Sequence, residues 1–158
     1  MVVKLDFVKP DDELLQLIAL NIRPADRDEL LAAGNKTVID ALYKSVKLSK
    51  TSVVACHNGT PLVIYGMGVP NQLGNTALPW MLGTVQSERF KREFMVYTAR
   101  VIKEMLIEFP RLVNFVYHKN IRSIKWLKAL GFTIDDAKPY GPYGELFHRF
   151  HMEDRNHV

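Results

Sequence analysis

Apolar and polar residues alternate through "VVKLDFVK" (2–9), the pattern of a half-buried strand, and Pro10 closes it. The acidic "DDE" then opens a helix over 11–22, where leucines and isoleucine recur at helical spacing and the carboxylates suit the positive end of the helix dipole. "RPADRDELLAAGN" predicts a second short helix with Pro24 in its first turn and Gly34 as its stop. A third spans 37–50, with Val38, Ile39, Leu42 and Val46 on one side.

From Thr51 the period shortens to that of strands. "TSVVACHNGTPLVIYGMGV" reads as two β-rich runs around Asn58-Gly59, a dipeptide that supplies the two positive φ angles of a tight hairpin turn. A polar loop follows, and "PWMLGTVQ" (79–86) is short and apolar enough for a central strand. Ser87 is placed to cap a long helix over 88–109, in which Phe90, Phe94, Tyr97, Val101, Met105 and Phe109 repeat at three- and four-residue steps. Pro110 ends it. "LVNFVYH" (112–118) is the next strand, then an amphipathic helix stopped by Gly131, then two strands joined by a loop around "KPYGPYG". The order β, helices, β-β-β, long α, β, α, β-β predicts one α/β (α+β) domain over 1–158, with a mixed, mainly antiparallel sheet and helices on both faces. The strands at 79–86 and 112–118 are expected to be parallel neighbours, joined through the long helix.

At 158 residues, with 47% apolar and 24% charged residues, the chain can bury one core without covalent staples. A single cysteine, Cys56, excludes an internal disulfide and paired-cysteine zinc motifs. Its mid-strand position suits a small buried hydrophobe. No metal site is expected: His148 and His151, three apart on a presumed strand, point to opposite faces. No run spans a bilayer and no leader pattern opens the chain, so a soluble, intracellular protein is expected. The net charge of +4 is spread among acids in no dense tract, which argues against nucleic acid.

The stretch "HKNIRSIKWLKALGF" (118–132) places an asparagine after a strand, a small residue three positions on, and "GF" at the end of a helix. In this it resembles the last conserved block of the GCN5-related N-acetyltransferases, the GNAT family. With "PWMLGT", "FPRLVNFV" and "PYGPYG" added, nearly the whole chain resembles a smaller group of GNAT-like phage and prophage proteins, which includes the internal virion protein A of short-tailed phages.

The resemblance implies a GNAT-like fold and acetyl-CoA as cofactor. It implies a sheet that opens after the "PWMLGT" strand, so that the cofactor's arm bonds to unpaired backbone near Leu82, Gly83 and Thr84. The pyrophosphate is then expected at the next helix, near Ser87. In the family that turn is spaced by glycines, and "TVQSERFKRE" has none after Gly83. Lys91 and Arg92 lie in the first turns of the long helix, where cations oppose the dipole. They are candidate anion ligands, or surface charges paired with Glu88. Asn120 would bridge the parted strands or touch the cofactor, or simply cap its helix; Ser123 would let the cofactor pass close.

The tyrosine that many GNAT enzymes use as general acid, four positions after the small residue, is Leu127 here. For proton transfer the candidates are His118 at a strand end, as an imidazole able to give or take a proton, and Tyr140 and Tyr143 in the "PYGPYG" loop. The resemblance implies a phage accessory or virion-associated protein with weak, altered or absent catalysis, located in host cytoplasm or the virion with other virion proteins as partners. The alternative is an acetyl-CoA-dependent N-acetyltransferase with a non-standard cofactor turn. A third reading is a module for an acidic partner, bound through Arg122, Lys125 and Lys128 on the polar side of the last helix.

Overall fold

A computed structural model describes residues 3–154. The first strand, β1 (Asp6–Val8), is followed by α1 (Asp12–Asn21), α2 (Pro24–Ala32) and α3 (Val38–Leu48). Asp11 caps α1 by accepting from the Leu14 N–H at 2.8 Å, and Thr37 caps α3 by accepting from Asp40 at 3.2 Å. Strands β2 (Ser49–His57), β3 (Thr60–Gly68) and β4 (Thr76–Gly83) then form a continuous antiparallel ladder. Asn58 and Gly59 take φ of 50° and 79°, the two left-handed positions the β2–β3 turn needs. Of the expected first strand, Val2 lies outside the described residues. The helix expected to reach residue 50 stops at Leu48, and Ser49 and Lys50 join β2.

Helix α4 (Lys91–Glu108) carries the chain to β5 (Arg111–Tyr117), and β5 lies parallel to β4 as the pattern predicted. Helix α5 (Ile121–Leu130) ends at Gly131 with φ 103°. The tail forms three strands where two were expected: β6 (Thr133–Ile134), β7 (Lys138–Tyr140) and the long β8 (Glu145–Glu153), against which both short ones pair. The described residues form an eight-stranded sheet in the order β1-β2-β3-β4-β5-β8-β6, with β7 also on β8. This is the mixed, mainly antiparallel sheet the sequence predicts.

Helices cover both faces. Leu15, Ile18 and Leu42 from α1 and α3 pack on Val54, Cys56, Ile64 and Leu82. On the other face, α4 and α5 cover Met67, Ala77, Leu112, Val116 and Phe150. Phe94 of α4 is buried, but Val101, Ile124 and Leu127, on the inward faces of α4 and α5, are only half-buried.

The start of the long helix also departs from expectation. Residues Val85–Phe90 form a 3₁₀ segment, so α4 starts at Lys91 rather than at 88 and Phe90, not Ser87, is its N-cap. The Ser87 hydroxyl donates back to the Thr84 carbonyl at 2.7 Å, which occupies it and holds the tighter turn.

Candidate functional site

β4 and β5 pair at only two positions, Thr76 with Arg111 and Ala77 with Leu112, and then part. Backbone groups beyond that point need other partners. The Asn114 side chain bridges the narrow end: its Nδ2 donates to the Pro79 carbonyl at 2.9 Å, and its Oδ1 accepts from the Phe115 N–H at 2.9 Å.

The wide end is held by carboxylates from α2. Asp26 and Glu29 are three residues apart and so share a helix face. Gly83 N–H, at the end of β4, donates to Asp26 Oδ2 at 2.8 Å; Tyr117 N–H, at the end of β5, donates to Glu29 Oε1 at 2.8 Å. The α2 start is pinned there because Arg23 N–H donates to the Gly83 carbonyl at 2.9 Å. Gly83 keeps this crossing close: a Cβ on it would lie 3.1 Å from both Arg23 Cδ and Ser87 Oγ, so those side chains would have to shift. Strand residues turn both backbone groups to one side, alternately. Since 79 and 83 face the gap, Met81 also presents its N–H and C=O to it.

Asn120, 1% exposed, ties the arrangement to α5. Its Nδ2 donates to Asp26 Oδ1 at 3.2 Å and Glu29 Oε1 at 3.4 Å, while its Oδ1 accepts from Ser123 N–H at 3.4 Å. Burial pushes the Asp26 carboxyl up, against the lowering effects of Arg23, the Gly83 N–H and Asn120. Burial also pushes Glu29 up, to about 7; the neighbouring Asp26 charge adds to this and the Tyr117 N–H and Asn120 oppose it. A carboxyl with that pKa exchanges protons at neutral pH.

Outside the gap, a groove between the 3₁₀ segment, α4 and α5 is lined by Gly83, Ser87, Lys91, Ser123 and Trp126 together with Arg23, Glu88 and Arg122. Glu88 sits among three cations: Arg23 at 3.4 Å, Lys91 at 3.7 Å and Arg122 in close contact through both guanidinium NH groups. A second cavity of about 250 Å³ runs through the gap itself, and Met81, Ser123 and Trp126 line both spaces. Trp126 Nε1 is shielded from solvent and has no hydrogen-bond partner. Tyr65 lines the inner cavity with its hydroxyl bonded to Tyr97, and burial raises its pKa further above the ordinary phenol value.

The residues singled out from sequence are thus partly assembled. Gly83, Ser87, Lys91 and Ser123 share the groove, with Asn120 directly behind them. Lys91 pairs with Glu88, one of its two expected roles. Arg92 is exposed and lines none of these spaces. Leu82 borders the inner cavity from the α1–α3 side; Thr84 is fully buried, its hydroxyl donating to the Leu62 carbonyl at 3.0 Å. His118 is exposed, and its Nδ1 lies 2.9 Å from His148 Nε2, whose other nitrogen donates to the Asp135 carbonyl at 2.7 Å. Tyr140 stacks on Phe115 at 4.2 Å and reaches the inner cavity; Tyr143 is 69% exposed. Of the expected basic stripe, Arg122 and Lys125 line the groove, which leaves only Lys128 outside it.

The carboxylates Asp26 and Glu29 were not among the residues read from sequence. A signal was present: "PADRDE" offers no large apolar residue in the first two turns of α2, so a helix docked there has to bury charged side chains.

A central parallel pair that parts after two residues, inside an otherwise antiparallel sheet flanked by α1–α3 and α4–α5, is the GNAT N-acetyltransferase fold. Solved structures share it across nearly the whole chain. Ribosomal-protein-alanine N-acetyltransferase from Brucella melitensis superposes with TM-score 0.68 at 16% identity, covering 94% of this chain and 99% of its own. Spermidine N-acetyltransferase from Vibrio cholerae, in complex with CoA and spermine, gives 0.66 at 10% identity and 95% of each chain. A Salmonella typhimurium protein solved with acetyl-CoA gives 0.62 at 16% identity, covering 98% of this chain and 96% of its own. At these identities the likeness is one of fold. No family model matches the sequence, and no curated protein matches it. Among the described residues no cluster of three or more His, Cys, Asp or Glu could hold a metal, and no helix is long and apolar enough to cross a membrane.

Proposed function

We propose that the chain is an acyl-CoA-dependent N-acyltransferase whose reaction centre is the gap between β4 and β5. One observation carries the reading: the strands part after two pairs, turning the Met81 backbone toward a groove that leads to Arg23, Lys91 and Arg122. Trp126 lines the same groove, and its buried indole Nε1 has no hydrogen-bond partner among the described residues, so the residues present fit the arm of a CoA thioester. Lys91 and Arg122 would hold its phosphates, and Met81 and Trp126 its amide and carbonyl groups, with Ser123 small enough to let it pass. The cofactor supplies an activated acyl carbon.

The chain's own part is to deliver a neutral amine and to accept its proton. Glu29 is placed for this, at the wide end of the gap and with a pKa near 7. With a thioester held in the gap, water could protonate its sulfur leaving group, while Glu29 would accept the proton lost by the amine. No acid is held against that sulfur by Leu127, so turnover is expected to be slow. Calorimetry with CoA tests the reading: binding in wild type, weakened by Lys91→Ala with Arg122→Ala, supports it, and no binding to wild type overturns it.

A second reading is favoured by Glu88. Its carboxylate occupies the centre of the cation cluster, where a phosphate would otherwise stand. On this reading the chain keeps the fold without the cofactor and serves as a phage accessory or virion-associated protein. It predicts no CoA binding to wild type or to Glu88→Gln, whereas the first reading predicts tighter binding to Glu88→Gln.

A further inference from the structure

The cavity through the gap is larger and more apolar than a two-carbon acyl group requires. On the α4–α5 side its wall is Val101, Ile102, Met105, Leu127 and Leu130, five residues on inward helix faces. None of the five is fully buried, although Leu112, Val116 and Phe150 opposite them are. The space is a cleft partly open to solvent, and its five large apolar side chains are left only half-covered by protein. An apolar cavity of about 150 Å³ engineered into another protein takes up benzene, a six-carbon ring. The cavity here is about 250 Å³.

Its position says what it is for. Met81, Ser123 and Trp126 line both this cavity and the outer groove, so a molecule lying in the groove reaches the cavity without crossing the core. Trp126 lines that junction, its buried Nε1 has no acceptor of its own, and a buried donor left unpaired is costly. A carbonyl at the junction satisfies it and leaves an alkyl chain pointing into the apolar wall.

Resting on the acyltransferase reading above, we infer that the cavity holds the acyl chain of the thioester, and that the preferred donor carries a straight apolar chain of about six to eight carbons rather than acetyl. Each methylene that enters such a wall tightens binding about three- to fourfold, the ratio equivalent to about 0.8 kcal/mol. The gain stops when the cavity is full.

The test is a dissociation-constant series by calorimetry: CoA, then acetyl-, butyryl-, hexanoyl-, octanoyl- and dodecanoyl-CoA. Expected is a rise in affinity with length of at least about tenfold from acetyl to octanoyl, levelling beyond. In Leu127→Phe and Val101→Phe, each verified as folded by its thermal transition, the length dependence should flatten. If CoA and acetyl-CoA bind but octanoyl-CoA binds no tighter, the inference is overturned and the acyltransferase reading stands. If no member binds, CoA included, both fall. A length dependence unchanged in both phenylalanine variants overturns the placement of the chain between α4 and α5.

Discussion

From β2 to β4 the strands pair along nearly their whole length, whereas β4 and β5 pair at two positions and then part. In the closed half the backbone satisfies itself, and the side chains beneath are left free to be apolar and buried, as at Val54, Ile64 and Leu42. In the open half the duty passes to side chains. Asn114 bridges the narrow end, Asp26 and Glu29 take the N–H groups of Gly83 and Tyr117, and Asn120 holds the two carboxylates together. The difference teaches that a parted sheet has to bury polar groups to survive, and those groups arrive with shifted proton affinities. The chemistry of the candidate site is a by-product of the way the sheet was opened.

If that contrast is right, the two halves should respond differently to losing a large apolar side chain. Ile64→Ala, in the closed half with no exposure, should cost about 2–5 kcal/mol in urea unfolding. Leu127→Ala, on the wall of an existing cavity, should cost about 1 kcal/mol, because little packing is lost there. Equal losses would erase the distinction.

Asn120→Ala attacks the polar clamp. It removes the α5 cap and the donor shared by the buried Asp26 and the half-buried Glu29, so a loss of about 2–3 kcal/mol is expected. It should also raise the Glu29 pKa further, which carbon-13 carboxyl shifts would follow.

Glu29 gives the next contrast. Its folded pKa, about 7, exceeds the ordinary 4.5, so the native state binds the proton more tightly than the unfolded chain. That contribution is fully present below about pH 4.5 and is lost as pH rises through about 7. Glu29→Gln should therefore flatten the fall in stability across this window. In an acyl-transfer assay the wild-type rate should climb through about pH 7 and level off. Glu29→Gln should lose that limb and about a hundredfold in rate, with the Michaelis constant for the donor little changed. A Glu29→Gln rate profile superimposable on wild type would exclude Glu29 as the base.

The smallest effect separates two adjacent cations. Lys91 lines the groove and Arg92 does not. Lys91→Ala should weaken CoA binding by about 1 kcal/mol and lower its salt dependence, while Arg92→Ala should leave both unchanged. The reverse order would move the phosphate site off the groove.

Much of the fold was legible because it rests on short-range signals. Asn58-Gly59 turns the β2–β3 hairpin, the spacing of Phe94 and Val101 marks α4, and Gly131 stops α5. Of the candidate site, only residues carried by single segments could be singled out from sequence, and Gly83 and Lys91 are among those that line the groove. The Asp26–Asn120 bond joins residues 94 apart, and nothing local to either announces the other. Ser87 shows the opposite failure: as a serine before a helix it has the chemistry of a cap, but its hydroxyl finds the Thr84 carbonyl first and the segment tightens into a 3₁₀ turn. Asn114 takes the strand-bridging role that was one of those expected for Asn120, because it lies where β4 and β5 are still close enough for one amide to span them; Asn120 caps α5, another of its expected roles.

The central claim, that the parted strands are a cofactor cleft, is tested most directly by nitrogen-15 resolved spectra of the protein titrated with CoA. The account predicts that the Met81 amide and the Trp126 indole N–H shift and become protected from hydrogen exchange, while amides of the β2–β3 ladder such as Ile64 stay as they were. A titration that leaves both Met81 and Trp126 unmoved would contradict it.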